Sequence, residues 1–140
     1  MIYLAPSALM KLVRREEETA ALRDWLSVRP EQPVVTSELG RVEVQRAARR
    51  VGGRAPTEAR AVLGDLDLVP LGRAVQDLAC DIATPLLRTL DALHLASAVL
   101  LSDSEELTAF IAYDHRLAVA AQAAGLVVAT PGQHPPPHER

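Results

Sequence analysis

The sequence predicts an α/β fold built on a parallel sheet, and three observations carry that prediction. Short aliphatic runs recur at residues 1–4, 34–36, 66–71, 108–112 and 126–129. Segments with helical spacing lie between successive runs. The runs are continuous in Ile, Leu, Val and Ala rather than alternating with polar residues, as strands covered on both faces are. About five short strands and about seven helices result. The chain has 140 residues, of which 49% are apolar and only 3% aromatic. That is enough to bury one aliphatic core and too little for two ordinary domains. A single Cys excludes a disulfide framework and a Cys-based zinc cluster. The formal charge of −3 argues, as a bulk quantity, against a nucleic-acid binder.

Taken in order, residues 1–4 read as a buried strand, and Pro6 suits the first turn of the helix continuing through 7–15. A second helix is expected over 16–28, with Leu22, Trp25 and Leu26 on one face. Residues 34–36 form the next strand. Ser37 is a good N-cap for a third helix running to about Arg50, and Glu38 stands where the helix dipole favours an acid. Gly52-Gly53 ends it. Helices are expected over 56–63, 72–84 (stopped by Pro85), 90–101 and 115–124. Strands are expected over 66–71, despite Pro70, and over 108–112 and 126–129. Residues 102–106 read as an acidic turn. Four of the ten prolines fall in 130–140, so that tail is expected to lack regular structure. The domain is therefore placed at 1–129.

No apolar stretch reaches the roughly 18–20 residues of a membrane-spanning helix. The N-terminal positive charges follow the apolar run, the reverse of a signal peptide. A cytoplasmic protein with no membrane partner is expected. Cys80 reads as a small buried hydrophobe.

In parallel sheets of this kind ligands bind beyond the carboxyl ends of the strands, so acids there draw attention. Asp114 follows the fourth strand by two residues. Glu43 lies about two turns into the helix after the second strand. Asp91 opens the sixth helix beside an apolar stripe of Leu90, Leu93, Leu95, Ala96 and Val99. Each has an ordinary reading: Glu43 pairs with Arg46 or Arg41, Asp91 serves a helix start with Thr89 as rival cap, and Asp114 caps the seventh helix. Together, three carboxylates at one sheet end favour a hard divalent cation, Mg²⁺ or Mn²⁺. Without cations or basic partners such a cluster repels itself and raises its own pKa values. Glu38, about 140° around the helix from Glu43, is left to the dipole. Glu16, Glu17 and Glu18 read as a solvated helix start, and Asp103, Glu105 and Glu106 as a solvated turn.

Four segments carry a resemblance. MIYLAPSALMKL resembles the opening of PIN-domain ribonucleases of the VapC toxin type, whose expected form is MIYLDxSALxKL. TSELGRVEVQRA is similar to the segment bearing that family's Glu, LRTLDALHLASA to its third acidic motif, and FIAYDHRLAVAAQAAGL to its fourth. They occur in the family's order and span most of residues 1–126. The resemblance implies a PIN-like α/β fold, a homodimeric endoribonuclease toxin inhibited by a VapB-like antitoxin, and one or two Mg²⁺ or Mn²⁺ ions on four acids. Carried over, those are position 5, Glu43, Asp91 and Asp114. Ser7 matches the family's small hydroxyl residue. His94, three residues after Asp91, is expected to orient that acid, or else to be an interior polar residue. The sequence departs from the pattern at Ala5, which offers a metal no oxygen, and at Ala112, where relatives carry Thr or Ser. Either Ala5 inactivates a toxic nuclease, or the chain is a natural non-catalytic homologue that binds RNA or an antitoxin.

The charge of −3 hides an uneven distribution. Arg41, Arg46, Arg49, Arg50, Arg54 and Arg60 share twenty residues with only two acids, Glu43 and Glu58. Arg46, Arg49 and Arg50 are the candidate RNA contacts, since guanidinium forks suit phosphate. An antitoxin's acidic segment could use the same residues, and a plain solvated helix face is the ordinary alternative. With so few aromatics, base stacking is a minor source of recognition. A nucleotide-binding domain is disfavoured, because neither a GxGxxG turn nor a GxxxxGK[ST] loop occurs. A phosphoacceptor domain would leave LRTLDALHLASA unexplained.

Overall fold

The computed structural model describes residues 1–84, 87–104 and 106–133. Among them are five strands and seven helices: β1 (Ile2–Leu4), α1 (Pro6–Val13), α2 (Thr19–Ser27), β2 (Val34–Ser37), α3 (Glu38–Val51), α4 (Ala55–Gly64), β3 (Asp67–Val69), α5 (Arg73–Asp81), α6 (Thr89–Asp103), β4 (Ala109–Ile111), α7 (His115–Ala123) and β5 (Val128–Ala129). Every ladder is parallel and the strand order is β3-β2-β1-β4-β5. Parallel neighbours need crossovers, and the intervening helices supply them.

β1 is the middle strand, and all three of its residues are fully buried. Its pleat divides the core in two. Ile2 and Leu4 join Ala109, Ile111, Leu22, Val44 and Ala48 on the face covered by α1 to α4. Tyr3 joins Val35, Phe110, Leu95, Leu117 and Ala121 on the face covered by α6 and α7. This two-sided burial is why the strands read as continuous apolar runs.

The boundaries shift where side chains intervene. α2 begins at Thr19 rather than residue 16, because the Thr19 hydroxyl accepts the Glu16 N–H (2.9 Å) and donates to the Lys11 carbonyl (2.7 Å), fixing a turn ahead of the helix. Glu16 and Glu18 are not a solvated helix start: both close on the buried Lys11 ammonium, at 2.8 and 2.7 Å. β3 stops at Val69, since Pro70 has no N–H for the ladder. α5 stops at Asp81, and Pro85, its expected stop, lies outside the described residues. α6 runs on through Asp103, so that acid is helical rather than part of a turn, and Glu105 also lies outside the description. Ser37 caps α3 as its sequence suggests, accepting the Leu39 N–H at 3.1 Å. Gly52 and Gly53 end α3 with φ of 78° and 58°, where glycine carries no steric penalty.

Cys80 corrects an expectation: it is exposed. α5 buries only Val75, and Cys80 sits five residues on, about 140° around the helix. Residues 130–133 contain neither helix nor strand, as expected of the tail, but they are tethered: Tyr113 Oη donates to the Pro131 carbonyl at 2.8 Å. The rest of the tail, 134–140, lies outside the described residues.

Candidate active site

The strand order reverses direction in sequence between β1 and β4, which makes the crevice beyond their carboxyl ends the topological switch point. Position 5 follows β1, and Asp114 follows β4. Ala5 is fully buried and donates its N–H to the Ile111 carbonyl at 3.0 Å. It is also the N-cap of α1, and as an alanine it makes no side-chain cap bond. Asp and Asn are favoured at such a position, and Ala is poor there. The backbone at position 5 thus has the extended N-cap conformation that suits an acid, while the Ala5 methyl itself is packed in the apolar cluster with Tyr3, Phe110 and Ala112. Ser7 lies two residues on, and its Oγ accepts the Tyr113 N–H at 2.9 Å, tying α1 to the loop that carries Asp114.

Asp114 caps α7, its Oδ1 accepting the Leu117 N–H at 3.1 Å. Asp91 stands in the first turn of α6 and makes no N-cap bond; Arg88 rather than Thr89 holds the cap position. The two carboxylates line one polar cavity of about 420 Å³, together with Arg88, His115 and Arg116. Burial raises the Asp91 carboxyl above its ordinary range, and repulsion from Asp114 and then Glu43 adds to it, while His94 and Arg88 oppose it. Asp91 on α6 thus feels Asp114 at the β4–α7 junction and Glu43 on α3.

Glu43 is placed differently from the sequence reading. Its partner is neither Arg46 nor Arg41 but His94, whose Nε2 lies 2.7 Å from Glu43 Oε1. The other ring nitrogen, Nδ1, lies 2.6 Å from Tyr3 Oη. His94 is fully buried, and its hydrogen bonds go to Tyr3 and Glu43 rather than to Asp91, the acid it was expected to orient. The i, i+3 spacing from Asp91 is real, but the ring is drawn across to α3. Gly40 makes room for it: a Cβ there would meet His94 Cε1 at 3.3 Å and Thr36 Oγ1 at 2.6 Å. Tyr3 and Gly40 are site residues that sequence reasoning missed. A glycine in the first turn of a patterned helix was the available signal for one. Tyr3 gave none, since an aromatic in a buried strand is ordinary.

Glu43 also lines a groove of about 460 Å³ with Arg46, Arg50, Met10, Leu39 and Leu90. Arg46 and Arg50 are exposed one turn apart on that side of α3, whereas Arg49, also exposed, does not line the groove. Glu38 keeps its first-turn place on α3 and accepts the Leu71 N–H at 3.3 Å, which ties it to the segment after β3 and away from Glu43.

The donor chemistry of Glu43, Asp91 and Asp114 suits a hard cation, which would offset both the burial and the acidic neighbours that raise Asp91. Yet among the described residues no three metal-ligating side chains are gathered closely enough to hold an ion, and Ala5 withholds a fourth oxygen. The chain has the donor set without a closed site.

Comparison with known proteins agrees with this architecture. The PIN domain family model matches residues 2–123. The chain is 47% identical over 135 residues to ribonuclease VapC47 of Mycobacterium tuberculosis (strain CDC 1551 / Oshkosh), covering 94% of this chain and 98% of that one. It is 44% identical over 133 residues to ribonuclease VapC35 of Mycobacterium tuberculosis (strain ATCC 25618 / H37Rv), covering 95% and 98%. The fold is shared with the crystal structure of Mycobacterium tuberculosis VapC20, a sarcin-ricin loop cleaving toxin, at a TM-score of 0.70, 19% identity and coverage of 94% and 100%. It is shared also with FitAcB from Neisseria gonorrhoeae, at 0.71, 16% and coverage of 96% and 100%. The chain belongs to the PIN-domain family, within it to the VapC ribonuclease toxins. Among the described residues, no helix is long and apolar enough to cross a membrane.

Proposed function

We propose that this chain has the framework of a metal-dependent endoribonuclease toxin and that Ala5 holds it in a catalytically impaired form. The observation that carries the reading is the pair Asp91 and Asp114 in one cavity at the switch point, with Asp91 raised first by burial and then by its acidic neighbours. Position 5, an N-cap without a side-chain oxygen, directly follows β1, the strand paired with β4. Mg²⁺ or Mn²⁺, when bound, would activate a water and neutralise charge on a phosphodiester. Glu43, Asp91 and Asp114 would hold it, with Asp91 and Asp114 contributed by one wall and Glu43 by α3. Arg88 and Arg116 line the acid cavity without forming an ion pair within 4.0 Å among the described residues, and so present guanidiniums to a phosphate backbone. Arg46, Arg49 and Arg50 extend that basic surface along α3, and an RNA such as tRNA or rRNA is the substrate class. An antitoxin of the VapB kind would compete for the groove holding Glu43, Arg46 and Arg50, and pairing of two copies follows the family habit.

The test is Ala5→Asp in the full chain, assayed against tRNA and rRNA with and without Mg²⁺ and with EDTA. Cleavage should rise by more than the roughly 10- to 100-fold that a metal's outer-shell partner is worth, and EDTA should abolish it. The new Asp is also expected to cap α1, worth about 1 kcal/mol, with thermal stability that rises on adding Mg²⁺ only in the variant. Absence of cleavage by Ala5→Asp would favour the second reading, a non-catalytic PIN domain that binds RNA or an antitoxin, which Ala5 itself motivates.

A further inference from the structure

We propose that His94 is a positioning residue that holds the Glu43 carboxylate at the site, with Tyr3 and Gly40 as the parts that seat its ring. This rests on the reading of Glu43 as a cation ligand, and it adds a three-element brace running from the central strand through α6 to α3. Both ring nitrogens are engaged, at 2.6 Å to Tyr3 and 2.7 Å to Glu43. Tyr3 is itself immobile: it is fully buried, stacked on Phe110 at 5.3 Å between centroids and set edge-on to the imidazole at 6.0 Å and 77°.

Burial drives the Tyr3 phenol well above its ordinary range, so it stays protonated. In this brace the phenol donates its O–H to Nδ1, and Nε2–H donates to Glu43 Oε1. A carboxylate held in this way is oriented at one oxygen and left with the other to offer a cation, as is common for the outer partners of metal ligands.

Gly40 completes the brace. It lies three residues before Glu43, on a neighbouring position of the same helix face. Thr36 Oγ1, the atom that a Cβ at position 40 would strike, is itself anchored by donating to the Leu4 carbonyl at 2.8 Å. The hydroxyl and the imidazole therefore leave room for glycine alone. A purely structural interior histidine would need partners for its nitrogens, but not one from the acid of a neighbouring helix and a bare backbone opposite its edge.

The experiment uses the full chain carrying Ala5→Asp and reads Mn²⁺ affinity from the paramagnetic resonance of the free ion, so no activity is required. His94→Asn keeps a polar group near the Nδ1 position but is too short to reach Glu43. His94→Gln carries an amide N–H out to the Nε2 position. Mn²⁺ affinity should fall roughly tenfold or more in His94→Asn and stay within about threefold of the parent in His94→Gln, with thermal unfolding followed alongside to separate loss of packing. Equal losses in the two variants, or no loss in His94→Asn where Glu43→Gln does lower affinity, would overturn the proposal. If Glu43→Gln and Asp91→Asn both leave Mn²⁺ affinity unchanged, the cation reading fails on its own. The brace is then judged by ¹⁵N resonance of the imidazole in the unaltered chain: an Nε2–H tautomer whose proton shifts in Glu43→Gln supports it, and an Nδ1–H tautomer or an indifferent proton rejects it.

Discussion

Two groups of acids in this molecule are treated in opposite ways. Near the amino end of α2, Glu16 and Glu18 close on Lys11, whose ammonium also lies 4.6 Å from the centre of the Tyr113 ring. Burial pulls Lys11 down, but its hydrogen bonds to the two carboxylates more than reverse this and leave it raised, while Lys11 in turn lowers Glu18. Beyond the strand ends, Asp91 and Asp114 share a cavity with Glu43 nearby on α3, and none of the three has a Lys or Arg ion pair among the described residues. There the Asp91 carboxyl moves up. The same residue types are neutralised in one region and left in mutual repulsion in the other. The sign of the shift separates an acid that holds the fold together from one the fold tolerates for a ligand.

Breaking the balanced group should have the larger effect on stability. Lys11→Met keeps much of the apolar stem but strands two carboxylates, and a loss of about 2 kcal/mol is expected from urea unfolding at pH 7. The pH dependence sharpens it. Glu18, lowered in the folded chain, contributes stability present above the ordinary Glu range and lost as pH falls through its depressed value. Lys11, raised, contributes stability that is lost as pH rises through its elevated value. Both slopes should flatten in Lys11→Met. Unchanged slopes would mean that the clasp is cosmetic.

Gly40→Ala tests the open group through its brace. Helix propensity alone would favour Ala by about 1 kcal/mol, but the new Cβ meets a fixed hydroxyl at 2.6 Å. A net destabilisation of about 1 kcal/mol is expected in thermal unfolding, and a net gain would show that the His94 ring does not need the bare backbone of α3. The smallest effect is expected for Asp91→Asn. A carboxyl raised in the folded state detracts from stability once pH exceeds its unfolded pKa. Removing its charge should therefore raise the melting temperature by about 2 °C at pH 7, a gain that disappears as pH falls below the ordinary Asp range. A drop at pH 7 would mean that Asp91 sits among attractive rather than repulsive neighbours, and the contrast between the two groups would collapse.

Much of this was legible in the residues. The five aliphatic runs became five parallel strands: β1 and β4 are buried throughout, as strands covered on both faces are, whereas the edge strands β3 and β5 are only partly covered. Ser37 and Asp114 became caps because their side chains reach N–H groups that the helix leaves unbonded. Asp114 was singled out just past β4, Glu43 within α3 and Asp91 at the start of α6 by position alone. Misreadings arose where a distant residue changed the local choice. Glu16 and Glu18 read as solvated until Lys11 was placed beneath them. Cys80 read as buried because its neighbours in sequence are apolar, although α5 turns it outward. Arg49, grouped with Arg46 and Arg50 by sequence, is exposed like them but does not line the Glu43 groove.

By itself the sequence determined the strand and helix periodicities, the caps, the acids and the missing oxygen at residue 5, since each is a property of side chains and their spacing along one segment. Which partner each acid takes was decided only by the tertiary structure. His94 is three residues from Asp91 and 51 from Glu43, yet it bonds Glu43. Parallel crossovers bring α3 and α6 together beside the central strand, Gly40 clears a place on α3, and Tyr3 fixes the ring from below. Hydrogen bonds form between atoms that packing brings within reach, and in a sheet linked by crossovers those atoms lie far apart in the chain.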